Sequence, residues 1–189
     1  MIYTLIWLQL LHNTNRLAEA EPLMRRALAI DEAAYGPVHP SVAMDLNNLA
    51  QLLQDTNRFA EAEPLMHRAL AIDEASFGKD HPEVATDLNN LALLLRDTNR
   101  LAEAEPLLRR ALALGEATYG LDHPAVALRL NNLAQLLQDA NRLAEAEPLM
   151  RRALVIYEAS YGQEHPKAIS TRKKLANLGQ ADQSKLDET

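Results

Sequence analysis

Cysteine is absent from this chain of 189 residues, and aromatic residues make up only 4% of it. Without cysteine the chain has no disulfide, no thiolate metal site and no cysteine nucleophile, and we take the cytoplasm as its default location. The shortage of aromatics leaves Leu, Ala, Ile and Met to fill the core. Basic residues are outnumbered by acidic ones, giving a net charge of −7. This balance disfavours nucleic acid as a partner, because binding phosphates needs a basic face.

The sequence also lacks a run long enough to span a membrane. Residues 2–11 are apolar, but a transmembrane helix takes about 20 such residues. The run has neither the basic start nor the small-residue cleavage site of a signal peptide. We therefore interpret it as a helix with one apolar face and expect no membrane partner.

What the chain does have is an internal repeat with a period of 42 residues. One phrase, RLAEAEPLMRRALAIDEA, occurs four times with few changes, starting at Arg16, Arg58, Arg100 and Arg142. Between its copies stands a second phrase, HPSVAMDLNNLAQLLQDTN, in versions that start at His39, His81 and His123. Both phrases are rich in strong helix formers and carry apolar residues at helical spacing. Each repeat is therefore predicted to be a pair of helices.

Turn residues mark the ends of the predicted helices. Pro40 follows His39, and proline suits the first helical position because its missing N–H is not needed there. Asn57 tolerates the left-handed conformation of a tight turn, and Gly78 ends the second helix. Pro64 falls inside the second helix, where we expect a mild bend rather than a helix start.

The predicted fold class is all-α: a right-handed α-solenoid of antiparallel helix pairs with about nine helices, curved into a superhelix. Neither helix of a pair can bury its apolar face alone, so neighbouring pairs must stack. The helix pairs are expected at about residues 1–36, 37–78, 79–120 and 121–162, with a final capping helix at 163–178. Residues 179–189 are polar and are expected to form a disordered tail.

The phrases LNNLA, AEPLMRRALAI and G-x-x-HP-x-VA resemble tetratricopeptide repeats of the 42-residue, kinesin light chain-like subclass, over residues 1–178. The resemblance implies a concave surface lined by the first helix of each pair, which receives extended peptides. It implies that the second asparagine of each LNNLA binds the peptide backbone, namely Asn48, Asn90 and Asn132. The first asparagines, Asn47, Asn89 and Asn131, are candidates to share that role. Met44, Thr86 and Leu128 stand where chaperone-binding relatives have lysines that clamp a terminal carboxylate, so a chaperone tail is disfavoured as the ligand.

Physical chemistry supports this interpretation of the asparagines but leaves an alternative open. Asparagine is a mediocre helix former, yet each carboxamide both donates and accepts, as a peptide group does. Further polar residues continue the row one turn on: Gln51, Gln54, Arg96, Gln135 and Gln138. Variable positions such as Leu93, Arg96 and Arg129 would set selectivity. In the alternative, one asparagine of each pair bonds to a neighbouring helix or loop.

Other residue patterns receive structural interpretations. The histidines before proline (His39, His81, His123 and His165) are expected to cap helices rather than bind metal, since equivalent residues of stacked helices lie about 8–10 Å apart. The rings of Tyr35, Phe77, Tyr119 and Tyr161 are interpreted as packing anchors. The paired acids Asp31-Glu32 and Asp73-Glu74 are interpreted as a solvated face. The sequence shows no nucleophile elbow and no phosphate-binding loop, so we predict no catalysis, no cofactor and no metal.

The predicted function is that of a scaffold that binds a protein or an extended peptide segment on its concave surface. The alternative is a structural or self-assembly module that spaces or oligomerises fused domains. In the first helix the residues from Thr4 to Leu8 replace LNNLA with a largely apolar segment. Such a patch, which contains Trp7, is a candidate surface for self-association or for a preceding repeat.

Overall fold

The computed structural model describes the backbone of residues 17–186 and the side chains of residues 19–178. This part of the chain contains eight helices and no strand, and it divides into two compact units between Leu94 and Leu95. The helices are α1 (Leu17–Tyr35), α2 (Pro40–Asp55), α3 (Phe59–Phe77), α4 (Pro82–Asp97), α5 (Leu101–Tyr119), α6 (Pro124–Asp139), α7 (Leu143–Tyr161) and α8 (Pro166–Leu186). The all-α fold of repeated helix pairs is confirmed. The predicted first helix, with Trp7 and its self-association surface, lies outside the described residues.

The turn within each helix pair depends on one asparagine, as predicted. Asn57, Asn99 and Asn141 have φ values of 59°, 61° and 60°, in the left-handed region that asparagine tolerates better than most residues. Beyond the first of them, the N–H of Arg58 donates to the carbonyl of Leu53 at 2.8 Å. The chain therefore reverses within three residues, and successive helices pack antiparallel.

The connection from each second helix to the next first helix combines a glycine with a capping histidine. Gly78 has φ 88° and donates its N–H to the carbonyl of Glu74 at 3.1 Å. At the start of α2, Nδ1 of His39 accepts the N–H of Ser41 at 3.1 Å, with Pro40 in the first turn. The capping role of the histidines is thereby confirmed, and His123 repeats it with the N–H of Ala125.

The aromatic residues that we interpreted as packing anchors stack on these histidines. Tyr35, Phe77, Tyr119 and Tyr161 lie with their ring centroids 4.4–4.8 Å from the imidazoles of His39, His81, His123 and His165. Each ring remains exposed on its outer side. The rings therefore hold the capping imidazoles in place instead of filling the core.

Replacement of His123 by alanine is expected to destabilise the protein by about 1 kcal/mol, because the first turn of α6 loses its N-cap. The melting temperature, followed by circular dichroism, should fall by about 2–4 °C. His67→Ala is the matched control, since His67 is exposed in the middle of α3 and caps nothing. Equal melting temperatures for the two variants would contradict the capping role.

Two helix boundaries bear on the sequence predictions. Helix α3 begins at Phe59 and continues through Pro64, so the proline lies inside the helix and does not start it, as expected. Helix α8 runs to Leu186, eight residues beyond its predicted end at residue 178. Residues 179–186 contain one glycine and no proline, so their polarity alone does not prevent them from continuing the helix.

The core of each unit is built from the apolar faces of paired helices. In the first unit, Val42, Ala43 and Leu46 of α2 pack against Ala69 and Ile72 of α3. In the second unit, α6 and α7 pack in the same way, together with α8, through Val126, Ala127, Leu130, Ala153, Ile156, Tyr157 and Ala168. The many alanines in both clusters allow the helices to approach closely.

Ion pairs link second helices across neighbouring repeats. Glu21 pairs with Arg25, four residues further along the same helix, at 2.8 Å. Glu21 also accepts from Arg58, which precedes α3 and pairs with Glu61, an arrangement that we did not predict. Hydrogen bonds from Arg58 and Arg25 lower the pKa of Glu21. The second unit repeats this network with Glu105, Arg109, Arg142 and Glu145.

Candidate functional site

Among the positions that differ between the repeats, two lie near each other where one repeat meets the next. One lies on the second helix of a pair and is occupied by Asp31, Asp73, Gly115 and Tyr157. The other lies on the following first helix and is occupied by Asp45, Asp87, Arg129 and Thr171. We call these four combinations the junction pairs. Their side chains determine the chemistry of each junction.

The junction pair of Asp73 and Asp87 is a buried carboxyl pair in the first unit. The side chains are 6% and 2% exposed, and the two carboxyls hydrogen-bond to each other. Burial raises the pKa of Asp87 to about 7 and raises the pKa of Asp73 as well. Outside this pair, Asp73 Oδ1 and Asp87 Oδ2 have no hydrogen-bond partner among the described residues. Below a pH of about 7 one shared proton can satisfy both oxygens.

This pair corrects the interpretation of Asp73 and Glu74 as a solvated face. Asp73 points from α3 toward α4, whereas Glu74 lies about 100° further around the helix and remains half-buried. Adjacent acids on a helix therefore have different environments here. The sequence contained a signal, because position 73 changes to Gly or Tyr in later repeats while the neighbouring glutamate is kept.

An open pocket of about 390 Å³ lies beside the carboxyl pair, within the first unit. The residues that line it come from α2, the end of α3 and α4, and include Met44, Asn48, Phe77, Glu83, Thr86 and Asn90 as well as Asn47, Asp73 and Asp87. Neither lysine nor arginine is among these lining residues, whereas three carboxyl groups are. We call this cavity the acidic pocket.

The two asparagines of each LNNLA have different environments. Asn47 donates from Nδ2 to Asp87 of the next repeat, and Asn131 donates to Oγ1 of Thr171 at 2.9 Å. These first asparagines bridge repeats, as in the alternative left open by the sequence. Asn48 and Asn90, the second asparagines, are half-buried and line the acidic pocket. Their carboxamides make no hydrogen bond within the described residues.

The remaining predicted groove residues lie apart from the acidic pocket. Gln51 is exposed and donates to Asp55 at 3.0 Å. Arg96 forms ion pairs with Asp97 at 3.0 Å and with Asp139 at 3.6 Å. Gln135 donates to Gln138 at 3.3 Å, and Asn89 is only 8% exposed. Gln54, Gln138 and Asn132 are half-buried.

Arg129, predicted to set ligand selectivity, is instead buried within the second unit. Its side chain is 6% exposed and crosses the surface of Gly115, where a Cβ would lie 3.0 Å from Arg129 Cδ. Its guanidinium donates to the carbonyl of Ala125 at 3.0 Å, while Nε has no partner among the described residues. Burial lowers the pKa of Arg129. The glycine makes room for the arginine, which explains why positions 115 and 129 change together.

Two other kinds of site find no support among the described residues. Within the part of the chain with described side chains, no group of three His, Asp or Glu residues is placed to hold a metal ion. Over the same part, every helix is too short or too polar to cross a membrane. The acidic pocket therefore remains the candidate site.

Comparisons with known proteins identify the repeat. The family model "Tetratricopeptide repeat" matches at residues 9–75, 45–117, 88–159 and 127–188. One similar solved structure contains nearly identical TPR-like repeats from a Podosopora anserina protein assigned as a kinesin light chain. Its sequence is 23% identical to this chain, the match covers 98% of this chain and 88% of that chain, and the TM-score is 0.81. BtubC (BKLC) from P. vanneervenii is 25% identical, with coverage of 95% and 71% and a TM-score of 0.83.

A third solved structure is YrrB, a TPR protein with an unusual peptide-binding site. It is 18% identical, with 93% of this chain and 84% of that chain covered and a TM-score of 0.51. No protein with a curated functional description matches the chain significantly. The four family matches together extend over residues 9–188, so the chain belongs to the tetratricopeptide repeat family, with repeats of the kinesin light chain-like kind.

Proposed function

We propose that this protein-interaction scaffold binds an extended peptide segment in the acidic pocket. The observation that carries the proposal is the pair of carboxamides of Asn48 and Asn90, which line the pocket and make no hydrogen bond within the described residues. The polar atoms of both carboxamides remain accessible from the pocket, so a ligand can pair with them, and each such hydrogen bond contributes about 0.5–1.5 kcal/mol. Each carboxamide offers one acceptor and two donors, which match the N–H and C=O groups of an extended backbone.

Apolar surface in the same pocket supports a peptide as the ligand. Met44 and Phe77 are exposed and lie on opposite elements, α2 and the end of α3. An extended peptide presents side chains alternately to its two sides, so it can place apolar side chains on these residues while its backbone meets the carboxamides. YrrB, with its unusual peptide-binding site, has a similar fold and so provides a precedent for such binding. We expect the binding to take place in the cytoplasm.

A binding role fits the carboxyl pair better than a catalytic one. Asp87 accepts from Asn47 and bonds to Asp73, so its carboxyl is held in place at the junction between repeats. A carboxyl held in this way suits the binding of a donor rather than repeated proton transfer, and we propose no reaction for it.

The test of the proposed function is a peptide selection on the full chain. Peptides selected from a random display library should bind the Asn48→Leu, Asn90→Leu double variant about tenfold or more weakly, because two hydrogen bonds to the backbone are lost. Binding would be measured by isothermal titration calorimetry. The matched control is Gln51→Leu with Gln135→Leu, which alters two first-helix amides outside the pocket and should leave the affinity unchanged. Equal affinity of the asparagine variant and the wild type would reject the pocket as the binding site.

A further inference from the structure

We infer that the acidic pocket receives an arginine side chain of the bound peptide, with the carboxyls of Asp73 and Asp87 as its counter-charge. This inference rests on the proposed function and names the residue type that the pocket selects. It follows from three features of the first unit: the unpartnered oxygens of the buried pair, the charges around the pocket, and the way in which a later repeat fills the equivalent space.

The unpartnered oxygens point to a donor. Asp73 and Asp87 are among the residues that line the pocket, and their oxygens Asp73 Oδ1 and Asp87 Oδ2 are buried and lack a partner outside their own pair. Asn47 Oδ1 is a third buried acceptor without a partner at the same place. A guanidinium carries five N–H donors in a planar fork and no acceptor, so it can satisfy several such oxygens at once.

The charges around the pocket favour a cation. Glu83 stands at the start of α4 and lines the pocket, and its charge raises the pKa of both Asp73 and Asp87. The hydrogen bond with Asp87 and the nearby His81 act in the opposite direction and lower the pKa of Asp73. Asn47 donates a hydrogen bond to Asp87. Below a pH of about 7, and in the absence of a cation, the pair holds a proton. A bound guanidinium replaces that proton as the compensating positive charge.

The second unit holds a guanidinium at the corresponding junction between repeats. At the equivalent junction, Gly115 and Arg129 replace the two aspartates, and the arginine lies buried across the helix surface that the glycine leaves open. There the chain supplies its own guanidinium. In the first unit the side chain of Asp73 takes the place that Gly115 leaves open, and the acidic pocket lies beside the two carboxyls, so the guanidinium can come from a ligand in that pocket.

The experiment uses four libraries of blocked nonapeptides that differ in one fixed central residue: arginine, lysine, citrulline or glutamate. The other positions hold mixtures of uncharged residues, and retention is measured on the immobilised full chain at pH 8. The wild type should retain the arginine library about tenfold more than the citrulline library, because citrulline has the same shape without the charge. The Asp73→Asn, Asp87→Asn variant should retain the two libraries equally.

The control variant, Asp122→Asn with Glu164→Gln, removes the same charge from exposed positions of the second unit and should keep the arginine preference. Circular dichroism melting confirms that each variant folds. Equal retention of arginine and citrulline by the wild type, both above background, would overturn the inference and leave the proposed function standing. The inference would also be overturned if the wild type retained the lysine library as strongly as the arginine library. The same holds if the Asp73→Asn, Asp87→Asn variant kept the arginine preference. No retention of any library would reject the proposed function itself.

Discussion

Replacement of Tyr157 by aspartate is expected to destabilise the second unit by about 4 kcal/mol or more, since loss of a large buried ring costs about 3–5 kcal/mol and a buried charge adds to this. Tyr157 is 2% exposed and packs among Val126, Ala127 and Leu130 of α6 and Ala168 of α8. Aspartate is the residue that earlier repeats carry at this position. The repeats look interchangeable in sequence, but this prediction states that their junction positions are not.

The reason lies in the partner across the junction. Asp73 bonds to a second carboxyl, whereas Tyr157 accepts from Asn131, which also donates to Thr171. An aspartate at position 157 would leave a cavity where the ring had been, and its buried charge would have no second carboxyl with which to share a proton.

Urea denaturation of the Tyr157→Asp variant, followed by circular dichroism, measures this loss of stability. Val155→Asp is the control, because Val155 lies two residues earlier on α7 and is 65% exposed. That variant should stay within about 0.5 kcal/mol of the wild type. Similar unfolding midpoints for the two variants would show that the junction position tolerates exchange.

Replacement of Asp87 by asparagine is expected to stabilise the protein at pH 8 by roughly 2 kcal/mol, because it removes a buried charge and keeps a hydrogen-bonding side chain. The amide oxygen can still accept from Asn47, and the amide nitrogen can donate to Asp73. The melting temperature at pH 8 should rise by about 4–8 °C.

The sign of the pH dependence follows from the raised pKa. Asp87 titrates at a pKa of about 7 in the folded protein and at about 3.9 in an unfolded chain. Between these two values the folded state holds a proton that the unfolded state has released, so stability falls as the pH rises from about 4 to about 7. Asp45, whose pKa burial raises to about 6, contributes with the same sign. The Asp87→Asn variant should therefore show a flatter profile but not a level one.

Melting temperatures of the wild type and the Asp87→Asn variant, taken from pH 4.5 to pH 8, test this prediction. The two proteins should differ little at pH 4.5 and increasingly above it. The control is Asp55→Asn, since Asp55 is exposed and accepts from Gln51 at the surface. A constant difference over the whole range would mean that Asp87 keeps an ordinary carboxyl pKa in the folded protein.

The sequence predicted the helices well because their ends depend on local chemistry. Pro40, Asn57 and Gly78 each act through their own backbone, so their roles could be assigned without knowing what lies beside them. The repeat then extended each assignment to the other copies. The end of α8 was predicted less well, since polarity at residues 179–186 removes a packing signal without supplying a stop signal.

The candidate site was only partly predictable, because its chemistry depends on which residues face each other across repeats. The asparagine pairs were recognised, but helical spacing alone could not show that Asn47 turns to the next repeat while Asn48 turns to the pocket. Asp73 and Asp87 were missed because single residues were read along each helix. Comparing the repeats column by column would have shown two positions that change together.

The junction pairs also determine which repeat can be cut out of the chain with least damage. Loss of residues 36–77 would join Asp31 to Asp87 and restore an acid–acid junction, and loss of residues 78–119 would set Asp73 against the guanidinium of Arg129. Loss of residues 120–161 would leave Gly115 opposite Thr171, with neither an arginine nor a tyrosine to occupy the space. The side chains brought together at the new junctions make the three shortened products unequal, so a repeat can be removed with less damage near the beginning of the array than near its end.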